Sequence, residues 1–152
     1  RQHPLNGPDR PTRFTPNEQR ALMTLACVGQ SPLMFGGDLP SLDDATRALL
    51  TRDEVLAVNQ QGRNGREVYR DCSQSAVIRM CDLPGGREWA LAIFSFTARA
   101  AKSVTVPFAE LRLPERLQVR DLWAGMDLGE QTGVLTFPVE PHDARLFRLR
   151  AV

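Results

Sequence analysis

The chain has 152 residues, 42% of them hydrophobic and 24% charged, with a formal net charge of +1 and a pI near 8.0. That balance gives no electrostatic case for nucleic acid or an anionic membrane as partner, and no apolar run is long enough to span a bilayer. All but one of the nineteen basic side chains are arginine, Lys102 being the exception, a usage that reflects genome composition rather than function.

Phe14 to Gln60 reads as a helix, a short buried strand, a glycine turn and further helix. Thr15, Pro16 and Glu18 form a capping box with proline at the first helical position. Ala21, Leu22, Leu25, Ala26 and Val28 then recur at helical spacing, and Gly29 is placed to end the helix. Pro32-Leu33-Met34-Phe35 is apolar at almost every position, as in a parallel strand covered on both faces, and Gly36-Gly37-Asp38 follows as a turn. Ser41 with Asp44, and Thr51 with Glu54, repeat the capping pattern ahead of Ala45, Ala48 and Leu49 and of Val55, Leu56 and Val58. One such unit is what a parallel α/β barrel repeats.

The texture changes after Gln60. Gln61-Gly62-Arg63-Asn64-Gly65 reads as a linker or domain boundary. Strand-like runs then alternate with turn signals: Glu67 to Asp71, Ala76 to Leu83, Trp89 to Phe96, Ser103 to Val106, Leu117 to Leu122, Val134 to Val139 and Ala144 to Leu149. Pro84-Gly85-Gly86 supplies a hairpin turn. Many short strands with regular turns point to an antiparallel sandwich, with Leu91, Ile93, Val119, Leu135, Phe137, Leu146 and Leu149 in its core by alternation. The fold class is therefore α/β plus all-β, with residues 1–62 as the barrel-like part and 66–152 as the sandwich.

FTPNEQRALMTL, SPLMFGGDL and LLTRDEVLAVNQ together resemble the end of the catalytic barrel in the alpha-galactosidase (melibiase) family of retaining glycoside hydrolases. VRDLWAGMDLG and PVEPHDARLFRL are similar to that family's C-terminal β-domain. The resemblance runs from Phe14 to Leu149; each motif is weak alone, and the order and spacing make the set specific. It implies an eight-stranded (β/α)8 TIM barrel, with Leu33 to Phe35 as its eighth strand, followed by a β-sandwich. The activity it implies is hydrolysis of terminal α-linked galactose, or a related sugar, with retention, in an extracellular or periplasmic setting. The two catalytic aspartates of such enzymes lie on the fourth and sixth barrel strands, upstream of Arg1, so neither is assigned to a residue here. A whole barrel takes about 250 residues, and the chain opens on Arg1 without a signal-peptide pattern. The expectation is thus a C-terminal piece of a larger enzyme, inactive alone, whose barrel-like part needs another surface to cover its apolar faces.

Asp38 follows the eighth strand, at the barrel face where sites sit. Fixing the glycine turn by bonding loop amides is the favoured reading, with support of the sugar pocket through neighbouring groups as the functional one. His142 beside Asp143 suggests catalysis, but adjacent turn residues diverge and no serine or cysteine nucleophile is near, so a surface turn is favoured. His3 and His142 are too far apart for a metal site, and no motif calls for a cofactor. Cys27 reads as a small core residue, and Cys72 with Cys81 as thiols on neighbouring strands rather than a disulfide. Trp89 and Trp123 are aromatic platforms of the kind that stack on sugars, yet Trp89 sits in an apolar strand, and Trp123 suits packing against the barrel side. Asp43-Asp44 and Asp53-Glu54 fall in first helical turns, where negative charge is expected, and do not read as an acid/base pair. Gly85-Gly86 has no following helix and is not a phosphate cradle. The alternative to an enzyme fragment is a non-catalytic carbohydrate-binding or structural module.

Overall fold

The computed structural model describes residues 11–152; His3 and the proline-rich start lie outside them. α1 (Pro16–Val28) begins as the capping box requires: the Thr15 hydroxyl accepts from the Glu18 amide at 3.3 Å, and the Glu18 carboxylate accepts from the Thr15 amide at 2.7 Å. Gly29 closes the helix, its amide donating to Leu25 O. The buried face is the expected one only in part, with Val28 and Cys27 inside as expected and the two leucines outside. Met23, Thr24, Cys27 and Val28 point inward, whereas Leu22 and Leu25 are 55% and 44% exposed. The helix carries two apolar stripes, and only one can meet the sheet beneath it.

Residues 31–43 form no strand, and Leu33, Met34 and Phe35 are all exposed, Met34 at 92%. A strand apolar on both faces needs hydrogen-bonded neighbours on both edges, and none among the described residues pairs with this segment. α2 (Asp44–Leu50) is capped by Asp43, whose carboxylate accepts from the Thr46 amide at 2.8 Å, rather than by Ser41. Thr51 does not cap α3 (Asp53–Gln61). Its hydroxyl donates back to Arg47 O at 2.8 Å, and Arg52 holds the cap position without a side-chain bond. Both acidic pairs do occupy the helix starts, where the dipole favours them.

The expected linker is structured. Gln61 closes α3 and β1 (Arg63–Asp71) starts two residues later. Its glycines serve close approach: a Cβ at Gly65 would lie 2.5 Å from Val28 O, and one at Gly62 would lie 2.5 Å from Val58 O and 2.9 Å from Cys81 Sγ. The chain folds back where the two helices end, and side chains are excluded there.

β2 (Ala76–Leu83), β3 (Glu88–Ser95), β4 (Lys102–Pro107), β5 (Arg116–Asp121), β6 (Met126–Thr132), β7 (Val134–Val139) and β8 (Ala144–Ala151) complete the chain. β6 has no counterpart in the sequence reading. It is an edge strand with most residues exposed and a glycine at Gly129, so it shows neither alternation nor an apolar run. Every pairing is antiparallel. A six-stranded sheet runs β1-β2-β3-β8-β5-β6, and β4 pairs with β7 in a second sheet.

The large sheet is covered on both faces. Towards the small sheet, Leu91, Ile93, Val119, Phe147 and Leu149 meet Val104, Val106, Leu135 and Val139. Phe137 is half-buried there, edge-on to Phe147 with ring centroids 5.0 Å apart. Towards the helices, Cys81, Ala90, Ala92, Phe94, Leu122, Ala144 and Leu146 meet Met23, Cys27, Val28, Val55 and Val58. Leu146 is thus core, as expected, but on the helix side. Cys27 and Cys81 are buried thiols of this second layer, and Cys72 is exposed in the turn after β1. The β1–β2 register pairs Asp71 with Ala76, which leaves Cys72 and Cys81 at opposite ends of the ribbon and unbridged.

Candidate functional site

Two regions carry the chemistry of the chain: the seam where the helices meet the large sheet, and the exposed segment that leaves α1. In the seam, Asp143 is fully buried and accepts from Arg20 Nε at 2.7 Å, from Arg20 Nη2, and from the Ala144 amide at 2.7 Å. The neighbouring His142 is exposed on a turn with φ of 54°. The adjacent pair therefore diverges, and its acidic member, not its imidazole, is the structural group. In the sequence Asp143 stands out only as the neighbour of a histidine. The one available signal was an arginine on a helix otherwise read as apolar.

Across the seam, Glu54 of α3 accepts from Arg120 Nε at 2.6 Å and from Nη2 at 2.9 Å, and Asp127 lies 3.1 Å from Nη1. The Arg120 hydrogen bonds hold the Glu54 carboxyl below the usual carboxylate range, and Arg120 is pushed upward chiefly by the same bonds. Arg52 Nε donates to Leu122 O at 3.1 Å, and Trp123 Nε1 donates to Thr24 Oγ1 at 2.9 Å. Trp123 therefore packs against the barrel-like side, as read from the sequence, and has spent its N–H there. Beside it a cavity of about 550 Å³ is lined by Thr51, Arg52, Glu54, Arg120 and Gly125.

The second region runs from Ser31 to Leu42. Leu33, Phe35 and Leu39 are 39%, 45% and 66% exposed, and with Leu22 and Leu25 they are apolar surface left outside both cores. Asp38 lies in this exposed stretch; its carbonyl accepts from Ser41 Oγ at 3.3 Å. Its carboxylate makes no hydrogen bond to a described residue, so it does not fix the turn through loop amides.

Among the described residues every carboxylate with a displaced pKa is displaced downward, by hydrogen bonds to its ionised form: Glu18 by Thr15, Asp43 by Thr46, Glu54 by Arg120, Glu67 by Arg70, Asp71 by Ser73 and Gln74, and Glu130 by Arg116. These groups are anchors held as anions; a general acid needs the opposite displacement. Among the described residues no cluster of three or more His, Cys, Asp or Glu side chains is set to hold a metal ion.

Trp89 lines a separate cavity of about 460 Å³ with Arg66, Glu110 and Arg112, on the face of the large sheet turned away from the helices.

The fold and these residues have relatives. Residues 75–149 match the alpha galactosidase C-terminal beta sandwich domain. An α-galactosidase from Coffea arabica is 30% identical over 142 residues, covering 90% of this chain and 36% of its own length. An isomalto-dextranase from Arthrobacter globiformis is 28% identical over 150 residues, covering 92% of this chain and 23% of its own. The crystal structure of a GH27 β-L-arabinopyranosidase from Geobacillus stearothermophilus superposes with a TM-score of 0.88 at 39% identity, over 98% of this chain and 33% of that one. A variant of that enzyme has been solved in complex with arabinose. The chain thus spans between 23% and 36% of the length of these relatives. It carries the alpha galactosidase C-terminal beta sandwich domain and corresponds, helices included, to the C-terminal region of that glycoside hydrolase family.

Proposed function

We propose that the chain is the C-terminal part of a retaining glycoside hydrolase that removes terminal α-linked galactose or a sugar of the same ring stereochemistry, such as arabinopyranose. One observation carries this reading. The helices that precede the sandwich bury one apolar stripe on it, through Cys27, Val28, Val55 and Val58, while α1 presents a second stripe outward at Leu22 and Leu25, beside the exposed Leu33 and Phe35 of the segment that follows it. A two-sided helix layer of this kind is what the last unit of a (β/α)8 barrel needs, with one side on the next domain and the other on the preceding barrel units.

In this reading residues 1–62 close the barrel and 66–152 form the supporting sandwich. The Leu33–Phe35 segment becomes the eighth strand when its neighbours are present. Asp38, whose carboxylate bonds no described residue, then stands at the sugar-binding end of the barrel and orients groups that touch the substrate. The Arg20–Asp143 and Glu54–Arg120 pairs fix the angle between the two layers, so that the barrel end is set by the sandwich. Retaining hydrolysis takes two carboxylates about 5 Å apart, one attacking the anomeric carbon and the other protonating the leaving oxygen. Those groups belong to the preceding barrel strands, and the 152-residue chain alone has no turnover.

The test has two arms. A nitrophenyl α-galactoside and the matching β-L-arabinopyranoside are offered to the purified chain and to a longer polypeptide that includes its upstream sequence. Turnover only in the longer protein supports the reading. Turnover by the chain alone, above a contaminant control, or an upstream sequence without two aspartates at barrel-strand ends, overturns it.

A further inference from the structure

The cavity beside Trp89 sets a tryptophan ring among charged side chains. It opens at the end of the sandwich, where β1 and β3 meet the short 3-10 turn Ala109–Leu111, and holds about 460 Å³, within the range of small-molecule sites. Its walls combine one aromatic ring with groups of both hydrogen-bonding senses. The body of Trp89 packs on the sandwich core, and its flanks are Val68 and Leu113. Arg66 spends Nη1 on Asp82 at 3.1 Å and on Asn64 O at 2.9 Å. Glu110 and Arg112 make no ion pair with any described residue. The Trp89 indole N–H bonds no described group, and it is not among the buried polar atoms left unpaired, so it keeps access to solvent. The only other tryptophan donates to Thr24.

The wall that carries Glu110 and Arg112 is held rigidly. Phe108 and Leu111 are 1% and 9% exposed, and the Leu111 and Leu113 amides both donate to Phe108 O. Arg112 itself adopts a left-handed conformation, φ 55° and ψ 35°. Gln30, Asn64, Ser75 and His142 share this conformation elsewhere in the chain, so here it serves only to direct the Arg112 side chain.

We propose that this cavity is a binding subsite for a neutral saccharide unit on the sandwich, with Trp89 as the aromatic wall, Arg112 and the Trp89 N–H as donors and Glu110 as acceptor. Sugar hydroxyls both donate and accept, which matches this mixture. A simple anion would meet Glu110 and leave it unpaired. The aliphatic ring hydrogens suit the indole face. The subsite holds a sugar without cleaving it, so it stands or falls independently of the hydrolase reading.

The experiment titrates the ¹⁵N-labelled 152-residue chain with galactose and, separately, with galacturonate, following the two indole N–H signals. The expected result is a saturable shift of the Trp89 signal with galactose, at a dissociation constant on the order of 1 mM, while the Trp123 signal stays in place. Glu110→Ala and Arg112→Gly should each weaken the shift at least about tenfold, a loss on the scale of one hydrogen bond to a charged group. Glycine is at ease at that φ, so the second variant removes the guanidinium without straining the turn. Equal shifts of both indoles, no saturation with galactose, a response to galacturonate alone, or wild-type binding by both variants would each overturn the assignment.

Discussion

Arg20 and Asp143, 123 positions apart, form a two-pronged ion pair whose carboxylate is wholly buried. The pair closes the seam at the start of α1, where Asn17 also donates to Pro141 O at 3.2 Å. A carboxylate taken out of water is tolerated only because the guanidinium and the Ala144 amide satisfy it.

Removing one partner leaves the other uncompensated. Arg20→Met should therefore cost about 3 kcal/mol or somewhat more, and Asp143→Asn somewhat less, because the amide keeps one acceptor. Urea unfolding followed by near-ultraviolet circular dichroism measures both. Losses below about 1 kcal/mol would place this pair with ordinary surface ion pairs.

Gly65 tests whether the stretch between α3 and β1 is a flexible linker or a packed joint. An added Cβ meets Val28 O at 2.5 Å and Gln30 Oε1 at 2.7 Å, and the first of these is backbone that cannot move aside cheaply. Gly65→Ala should destabilise by about 1–3 kcal/mol, the scale of overpacking. Gly36→Ala serves as the control, because nothing lies within 4 Å of its added Cβ. Equal melting temperatures for the two variants would restore the linker reading.

Asp71 anchors the turn between β1 and β2. Its carboxylate accepts from the Ser73 amide at 2.8 Å, the Ser73 hydroxyl at 2.6 Å and the Gln74 side chain, and these bonds lower its pKa from 3.8 to about 2. A depressed folded-state value means stability that is complete above the unfolded pKa and lost as pH falls through the folded one. The turn's contribution should be intact above about pH 4 and fade between there and about pH 2. Urea midpoints across that window should slope less in Asp71→Asn than in the parent chain; parallel slopes would rule the turn out as the acid-sensitive element.

Amide exchange should divide the first sixty residues rather than treat them as one weak unit. Amides of α1 from Met23 to Val28 and of α3 from Val55 to Val58 sit over the sheet and should be protected to a degree close to β3 and β8. Residues 32–41, exposed and outside any helix or strand, should exchange fastest among the described residues. Slow exchange at Leu33 to Phe35 in a confirmed monomer would mean that this segment finds a partner strand within the chain.

The sequence by itself determined whatever depends on neighbours a few residues away. The capping box at Thr15 and Glu18, the helix end at Gly29, the Pro84-Gly85-Gly86 hairpin and the strand-like runs on either side of it are local patterns, and each formed where its residues predict. The motif order from Phe14 to Leu149 was equally legible, and it carried the family resemblance. What only the tertiary structure decided was which of two available partners each group took. Leu22 and Leu25 have the same local claim to burial as Met23 and Cys27, and the position of the sheet chose between them. Thr51 fits a cap by composition, yet its hydroxyl turned back to Arg47. β6 has too little apolar content to announce itself and exists through its ladder with β5. Asp143 and Arg20 lie 123 positions apart, a separation at which no pattern in the chain links them. Long-range pairings are settled by packing and desolvation once the layers meet, and those terms are absent from any short window of sequence.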